Sequence, residues 1–270
     1  MKIKQDWFRY IHMNRAREIE RIFLRCPEKV FPTGLELGAG DGFQSALLTR
    51  YVLKLISTDY NSDRLNKKSG GAVTYEICDA EEIDKIFNHE QFDLVFSSNL
   101  LEHLPHPERA LQAIRRVLKN NGIMIHIIPN PFWKLCDLLF HFPNICVRAV
   151  EKITEDGLFR SEMKRGFENN LKTERKKRPL PARLFIPEPH GVSANNIKEF
   201  YLFSKSRWKK EFEKAGFSLI AIIKGPVASG YGFGLNNMRN FLERMGISSE
   251  YVYVAVRKDG GSRFQKYFNQ

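Results

Sequence analysis

The chain has 270 residues, 43% of them hydrophobic, and its 43 Lys and Arg against 31 Asp and Glu give a net charge of +12. This length suits one α/β domain with a sizeable core, or one such domain with an insertion. No apolar run approaches the roughly 20 residues that span a bilayer, and the charged N-terminus lacks the apolar stretch of a secretory signal. The four scattered cysteines form no CxxC pair, so we expect a cytoplasmic protein with reduced thiols and no metal site.

The basic surplus bears on the partners of the chain. A net charge of +12 favours an anionic partner, such as a nucleic acid, a phosphorylated substrate or an acidic membrane surface. A basic surface that serves solubility alone is the alternative, and composition does not decide between them.

The first half of the chain predicts helices that alternate with strands. A helix is expected over 4–25, and Pro27 and Pro32 then break the chain. Strands that alternate with helices and are apolar along most of their length indicate a parallel sheet covered on both faces. The further predicted elements are strand 34–37, helix 43–51, strand 53–58, helix 61–68, strand 72–77, acidic helix 80–87, strand 92–97, helix 107–119 and strand 123–128.

The alternation stops at Pro129 and resumes near residue 204. Residues 130–203 show no strand pattern and predict a helical insertion after the fifth strand. We expect one domain over 1–270, with a loose tail from Gly260 onward. Its parts are an N-terminal helix (1–32), a core (33–129), the insertion (130–203) and the C-terminal part of the core (204–258), which contains helix 204–215, strand 217–224, helix 235–245 and strand 250–257.

The strongest local signal is the glycine turn LELGAGDG at 35–42, between a predicted strand and a helix. A parallel sheet binds its ligand beyond the carboxyl end of such a strand, and glycines let the backbone approach that ligand. Phe43 stands where a nicotinamide fingerprint needs its third glycine, and no P-loop Gly-Lys-Ser/Thr follows. Glu36 and Asp41 make the turn negative, which repels a pyrophosphate but suits the amine and sulfonium of S-adenosylmethionine (SAM).

Two further acids stand at predicted strand ends. Asp59 closes the second strand, about 20 residues beyond Gly38, where a carboxylate can accept hydrogen bonds from both ribose hydroxyls. Asp79 closes the third strand, where it could meet the exocyclic amine of an adenine. A helix N-cap is the alternative for one such acid, but acids at three successive strand ends favour a ligand site.

Residues 33–128 resemble the SAM-binding core of class I methyltransferases, in particular the type 11 group. The resemblance implies a Rossmann-like, mostly parallel sheet of seven strands in the order 3-2-1-4-5-7-6, with the last strand antiparallel and helices on both faces. It also implies SAM as cofactor and S-adenosylhomocysteine as product. The matching pieces are LELGAGDG at 35–42, STDY at 57–60, CDAEEI at 78–83 and FDLVFSSNLLEHLPHPERALQAIRRVLKNNGIMIHIIPN at 92–130.

The same resemblance implies which residues bind the cofactor. Glu36 would hold the methionine amine through the turn, and Asn99 would close the methionine side. Asp59 would bind the ribose, and Asp79 would help to frame the adenine. The full predicted set is Glu36, Gly38, Ala39, Gly40, Gly42, Asp59, Tyr60, Asp79, Ala80 and Asn99.

The sequence predicts fewer catalytic residues than cofactor-binding residues. Methyl transfer from a sulfonium needs mainly an acceptor held in line, and a general base helps when that acceptor is a hydroxyl or a protonated amine. His190, where the insertion returns to the core, is a candidate base, with a non-catalytic loop histidine as the alternative. His103 lies by resemblance near the methyl-transfer face, where a lining role competes with catalysis. His126 is expected to be a core histidine, and the sequence leaves the orientation of His12 open.

Two classes of acceptor are disfavoured by missing motifs. Amino-methylating DNA enzymes carry Asn/Asp-Pro-Pro-Phe/Tyr after the fourth strand, where this chain has Ser97-Ser98-Asn99-Leu100. Cytosine-C5 enzymes need a Pro-Cys nucleophile, and no such dipeptide occurs in the chain.

The insertion bears on the methyl acceptor. Its apolar part, 132–147, is interpreted either as a lid helix packed on the core or as a lid that also lies on an anionic membrane. Its basic part, 160–183, is a less favoured RNA contact. The sequence therefore predicts a cytoplasmic SAM-dependent methyltransferase, peripheral at a membrane surface in the second interpretation, that methylates a small-molecule or lipid-linked acceptor at oxygen. An RNA methyltransferase and a non-catalytic SAM-fold binding module are the alternatives.

Overall fold

The computed structural model describes residues 7–63, 72–153, 187, 195–228, 230–233 and 235–268. Within these ranges the α-helices are α1 (Trp7–Ile22), α2 (Phe43–Leu48), α3 (Pro107–Val117), α4 (Pro131–Ile153), α5 (Asn196–Leu202), α6 (Lys205–Lys214) and α7 (Asn236–Arg244). The strands are β1 (Phe31–Leu37), β2 (Val52–Asp59), β3 (Val73–Ile77), β4 (Phe92–Ser98), β5 (Leu118–Pro129), β6 (Phe217–Lys224) and β7 (Glu250–Arg257). No helix in the described ranges is both long enough and apolar enough to cross a membrane.

The strands of the described residues form one seven-stranded sheet in the order β3-β2-β1-β4-β5-β7-β6. The first five pair in parallel, while β7 runs antiparallel to both β5 and β6. The predicted strand order and the antiparallel last strand are confirmed. Because β1 and β4 are neighbours although β2 and β3 lie between them in sequence, the order of the sheet reverses between β1 and β4.

Helices cover both faces of the sheet, each over its own apolar layer. One layer joins α1 and α2 to the sheet through buried residues that include Ile19, Phe23 and Leu48. The other joins α3 and α6 to the opposite face and includes Leu111, Ile114, Trp208 and Phe212. In α3 the buried residues recur every three or four positions, which is the pattern that packs one side of a helix on a sheet.

Two predicted elements differ in the structure. The acidic helix expected at 80–87 is reduced to a single 3-10 turn at Ile83–Lys85. Asp79 accepts a hydrogen bond from the Glu81 amide at 2.9 Å, and such side-chain bonds compete with helix formation. Strand β5 begins at Leu118 instead of 123, because residues 119–122 bulge opposite Asp93 and the strand continues through them.

The C-terminal tail was expected to be loose from Gly260, and this prediction is wrong for the residues described. A 3-10 turn spans Gln265–Tyr267, and Phe264 and Phe268 are each 2% exposed. The Phe264 ring packs on Phe31 with centroids 4.7 Å apart. Burial of two aromatic rings anchors the tail to the core, which therefore extends beyond residue 258. The helix predicted at 61–68 lies largely outside the described residues.

Candidate cofactor and acceptor site

The carboxyl ends of the parallel strands meet at one edge of the sheet. There the glycine turn at 38–42 follows β1, and Asn99 follows β4, the neighbouring strand. This is the point where the strand order reverses, and an open α/β sheet binds its ligand in the crevice at such a point. We call the space between the glycine turn and Asn99 the cleft.

The backbone of the glycine turn is held in place by β2. The amides of Gly38 and Ala39 donate to the Thr58 carbonyl at 2.8 and 2.9 Å, and the Gly40 amide donates to Asp59 Oδ2 at 2.9 Å. Gly38, Gly40 and Gly42 all have positive φ, which disfavours any other residue. A Cβ on Gly40 would meet no atom within 4 Å, so the turn leaves open space above it for a ligand.

Asp59 is buried and lies where the sequence predicted the ribose contact. Its Oδ1 accepts from the Asn61 amide at 2.9 Å, and its Oδ2 accepts from Gly40. A carboxylate has about four acceptor positions, so Asp59 keeps capacity for ribose hydroxyls. On the predicted adenine side of the site, Ala80 is buried. Asp79 caps the following turn by accepting a hydrogen bond from the Glu81 amide.

Glu36 is buried beneath the glycine turn on the α1 face of the sheet. Its Oε2 accepts hydrogen bonds from the hydroxyls of Ser45 and Ser57, the latter at 2.7 Å. Burial raises the pKa of Glu36 to about 7, although both serine bonds oppose the shift. The prediction that Glu36 holds the methionine amine therefore requires Glu36 to act through the glycine turn, which lies above it. Tyr60 is the exposed member of the predicted set, at 77%.

Helix α1 covers the glycine turn. His12 Nε2 lies 2.7 Å from Asp41 Oδ2, and the His12 ring stacks on Phe43 at a centroid distance of 4.0 Å. The structure thereby fixes the orientation that the sequence left open. We refer to α1 in this position as the roof of the cleft.

Arg15 is a site residue that the sequence analysis missed. Its guanidinium lies at the end of β4, where it donates to Ser98. It also lies 2.7 Å, through Nη2, from the side-chain amide of Asn99, which accepts from it when the amide oxygen faces the guanidinium. It also bonds Glu18 on its own helix at 2.9 Å. A signal was present in the sequence: Glu18 sits on the apolar face of α1, one turn before Ile22, and is buried.

Three buried glutamates lie around the cleft near Arg15, whose own side chain is 21% exposed. Glu18 comes from α1, Glu102 from the turn after β4, and Glu250 from the start of β7. Burial raises the pKa of Glu102 to about 8, and it raises the pKa of Glu250 well above the usual value. The sequence analysis named neither Glu18 nor Glu250, because neither stands in the glycine turn or at the carboxyl end of a parallel strand.

The histidines fall into different surroundings. His103 Nε2 lies 3.9 Å from Glu102 Oε1, beside the cleft. His126 is fully buried, bonds Ser97 at 2.7 Å and has its pKa lowered by burial to about 3, which confirms the predicted core role. The candidate base His190 lies outside the described residues, so its role stays a prediction.

Comparison with known proteins identifies the domain. Residues 35–126 match the family model of the type 11 methyltransferase domain. The chain carries a class I SAM-dependent methyltransferase domain. SAM is accordingly its methyl donor and S-adenosylhomocysteine its product. The described cleft fits this cofactor, because it combines open space over Gly40 with the buried carboxylate of Asp59.

Solved structures share the methyltransferase fold over nearly the whole chain. A SAM-dependent methyltransferase from Mesorhizobium loti is 13% identical, with 90% of this chain and 100% of that chain covered and a TM-score of 0.53. One from Archaeoglobus fulgidus is 15% identical, with 93% and 99% covered and a TM-score of 0.51. A chain of the Haloferax volcanii complex that contains the Trm112 methyltransferase activator is 13% identical, with 92% of both chains covered and a TM-score of 0.54.

Among curated proteins, the methyltransferase is similar to a ubiquinone biosynthesis O-methyltransferase from Histophilus somni. The two are 22% identical over 170 residues, which cover 57% of this chain and 71% of that protein.

Proposed function

We propose that the methyltransferase transfers the methyl group of SAM to a hydroxyl of a small-molecule or lipid-linked acceptor. The observation that carries the proposal is that α1 brings the carboxyl group of Glu18 into the cleft, between Gln44 and Ser98. A hydroxyl loses a proton as it is methylated, and a carboxylate can accept that proton. The similarity to a ubiquinone biosynthesis O-methyltransferase supports oxygen as the methylated atom.

Different residues of the cleft would bind different parts of the cofactor. SAM, when bound, supplies a methyl group that the sulfonium has already activated. Asp59 would accept hydrogen bonds from the ribose, and Arg15, beside Asn99, would pair with the methionine carboxylate. The α1 roof would exclude water and hold the acceptor near the methyl group, which is the main requirement of this displacement.

The orientation of α4 supports a lipid-linked acceptor. In an ordinary surface helix the charged side chains face water and the apolar ones are buried. In α4 the arrangement is reversed: Lys134, Asp137 and Asn144 are buried. The exposed side chains over 131–147 are Leu135, Leu139, Phe142, Pro143 and Cys146.

We propose that this outward face of α4 lies on an anionic membrane. The net charge of +12 opposes association with a second copy and attracts anionic lipid. A helix with an apolar face lies in the interface plane with that face among the lipids. Phe233, which precedes α7 in the chain, packs on Phe140 of α4, and α7 itself carries exposed Met238 and Phe241.

Vesicle co-sedimentation tests the membrane contact without a methyl acceptor. Leu139→Ser/Phe142→Ser should bind vesicles with about one third phosphatidylglycerol at least about tenfold more weakly than wild type. Leu53→Ser, an exposed position on β2, is the matched control and should bind like wild type. Failure of the wild type to bind these vesicles, or equal binding by the double variant, would refute this surface.

The two alternatives have less support. The RNA alternative depends on 160–183, which lies outside the described residues, and no described residue favours it. A non-catalytic binding module would not need the intact turn or the buried Asp59. Failure to bind S-adenosylhomocysteine at millimolar concentration would support such a module.

Label transfer tests the proposed function. Methyl-tritiated SAM is incubated with the protein and a fractionated bacterial lysate, with Asp59→Ala as the control. Label in the organic phase supports a lipid-linked or hydrophobic acceptor, and label in small polar products supports a soluble one. Label confined to the RNase-sensitive fraction would overturn the proposal in favour of RNA.

A further inference from the structure

The Glu18 carboxylate reaches both walls of the cleft. Its Oε2 is 3.4 Å from Gln44 Nε2 and 3.3 Å from Ser98 Oγ. Gln44 lies in α2, directly after the glycine turn, and Ser98 is the last residue of β4. Glu18 is therefore placed at the point where the strand order reverses.

Glu250 approaches the same place from β7. It pairs in register with Pro129 at the end of β5 and is 4% exposed. Burial raises the pKa of Glu250 well above its usual value, and the neighbouring Glu18 carboxyl group adds to the shift. Two neighbouring buried carboxylates repel each other when both are ionised, so we expect the pair to hold one proton and one negative charge.

Gly225 leaves the space that the Glu250 side chain occupies. A Cβ at Gly225 would overlap both Cγ and Oε1 of Glu250. A side chain at this position would therefore push the carboxyl group away from Glu18. The loop after β6 leaves room for this carboxyl group by having a glycine there.

Buried acceptor oxygens around the pair have no donor in the described part of the chain. Glu250 Oε1 and both carboxyl oxygens of Glu102 make no hydrogen bond there, and both residues are more than nine-tenths buried. Arg15 interacts electrostatically with Glu18, Glu102 and Glu250, but it donates no hydrogen bond to these three oxygens. Unsatisfied buried acceptors are costly, so the arrangement points to a ligand that donates hydrogen bonds.

We infer that the paired carboxyl groups of Glu18 and Glu250 form one wall of the acceptor site and take up the proton that the acceptor hydroxyl loses. This inference rests on the proposed O-methyl transfer and assigns its proton acceptor. The acceptor oxygen bonds to the methyl carbon, and the carbon–sulfur bond breaks with its electrons remaining on sulfur. The hydroxyl proton passes to the ionised carboxylate of the pair, so the sulfonium charge and the carboxylate charge disappear together.

The position of the pair favours it over His103 as the proton acceptor. His103 Nε2 lies 3.9 Å from Glu102 Oε1, whereas Glu18 itself contacts residues on both sides of the cleft. The ionised member of the pair also offers a negative charge next to the site of a positive sulfonium. A negative wall there stabilises a cationic donor and a hydroxyl acceptor together.

A cationic cofactor analogue tests this wall without any methyl acceptor. Sinefungin carries an amine where SAM carries its sulfonium methyl, while S-adenosylhomocysteine carries no charge there. Isothermal titration calorimetry of both ligands should show that the wild type prefers sinefungin by about tenfold or more. Glu18→Gln/Glu250→Gln should bring the two affinities to within about twofold, because neither amide can supply the negative charge.

Matched variants separate the effect of the carboxyl charge from other effects of substitution. Glu20→Gln, at an exposed position of α1, should keep the wild-type preference, and so should Glu250→Asp, which retains the charge. Each single variant, Glu18→Gln or Glu250→Gln, keeps one carboxyl group that can ionise and should keep the preference. Glu18→Ala/Glu250→Gln serves as the test if the double glutamine variant does not fold. A sinefungin preference that survives removal of both carboxyl groups, or its absence in the wild type, would overturn the inference.

The same titrations separate this inference from the proposed function. If S-adenosylhomocysteine does not bind to the wild type, the proposed methyl transfer fails as well. If it binds normally and only the sinefungin preference is missing, the methyl transfer stands and the Glu18–Glu250 pair is not its proton acceptor.

Discussion

His12 Nε2 lies 2.7 Å from Asp41 Oδ2, and this contact joins the N-terminal helix to the glycine turn. The stacking of the His12 ring on Phe43, with 4° between the planes, reinforces the same junction. One turn further along the helix, Arg15 reaches the end of β4. Helix α1 therefore touches both walls of the cleft, and we propose that it forms part of the cofactor site.

His12→Ala should weaken S-adenosylhomocysteine binding by about threefold, a modest effect because both partners of the His12–Asp41 pair are partly exposed. Calorimetry measures the affinity. His89→Ala, which removes an exposed histidine from the loop before β4, is the control and should bind like wild type. A similar loss in both variants would show that the effect does not pass through the glycine turn.

Asp59→Ala should weaken cofactor binding at least tenfold, or about 1.4 kcal/mol. The variant loses the predicted ribose acceptor and also the bond that fixes the Gly40 amide at 2.9 Å. Asp59→Asn separates these effects, because its amide oxygen can still accept from Gly40 while the charge is gone. We expect the asparagine variant to be intermediate. Wild-type affinity in Asp59→Ala would mean that the ribose binds elsewhere.

The parts of the site that the sequence predicted are local. The glycine turn and Asp59 are recognisable because each stands directly at the end of a predicted strand, and parallel strands end at a common edge. The strand order followed from the resemblance carried by the same motifs. Arg15 was not predicted, since a helical arginine is common in a strongly basic chain and the signal lay in its neighbour Glu18 on the apolar face of the same helix.

The parts that were missed depend on long-range packing. Glu18 and Glu250 meet only because α1 folds over the sheet and β7 inserts beside β5. The tail was expected to be loose because Gly260 and Gly261 resemble a terminal linker, yet Phe264 and Phe268 are buried. Local composition does not reveal such contacts between distant segments.

Glu36→Gln should change how stability depends on pH. Burial raises the pKa of Glu36 from 4.5 to about 7. Because the folded-state pKa is the higher one, the stabilising contribution is complete below pH 4.5 and is lost as the pH rises to about 7. Relative to the variant, the wild type should lose on the order of 3 kcal/mol across this window.

Urea unfolding of the wild type and Glu36→Gln at several pH values within that window measures the difference. The glutamine keeps an acceptor for Ser45 and Ser57 but cannot ionise, so other titrating groups cancel in the comparison. Parallel stability curves for the two proteins would show that Glu36 has an ordinary pKa in the folded state.

Lys134→Met should destabilise the fold by about 3–5 kcal/mol, because removing one partner leaves a buried charge uncompensated. Lys134 Nζ lies 2.6 Å from Glu199 Oε2 and 3.1 Å from Asp137 Oδ2, and all three residues are buried. The Lys134–Glu199 pair joins α4 to α5. Its loss should therefore also loosen α4, whose apolar face is directed outward.

The matched comparison is Lys85→Met, which breaks an exposed pair with Glu82 at the same sequence spacing as Lys134 and Asp137. That variant should lose less than about 1 kcal/mol, since water screens the exposed charges. Lys134→Met/Asp137→Asn/Glu199→Leu, which removes all three buried charges, should recover most of the stability lost in Lys134→Met. Equal losses in Lys134→Met and Lys85→Met by urea unfolding would mean that the Lys134–Glu199 contact is not buried in solution.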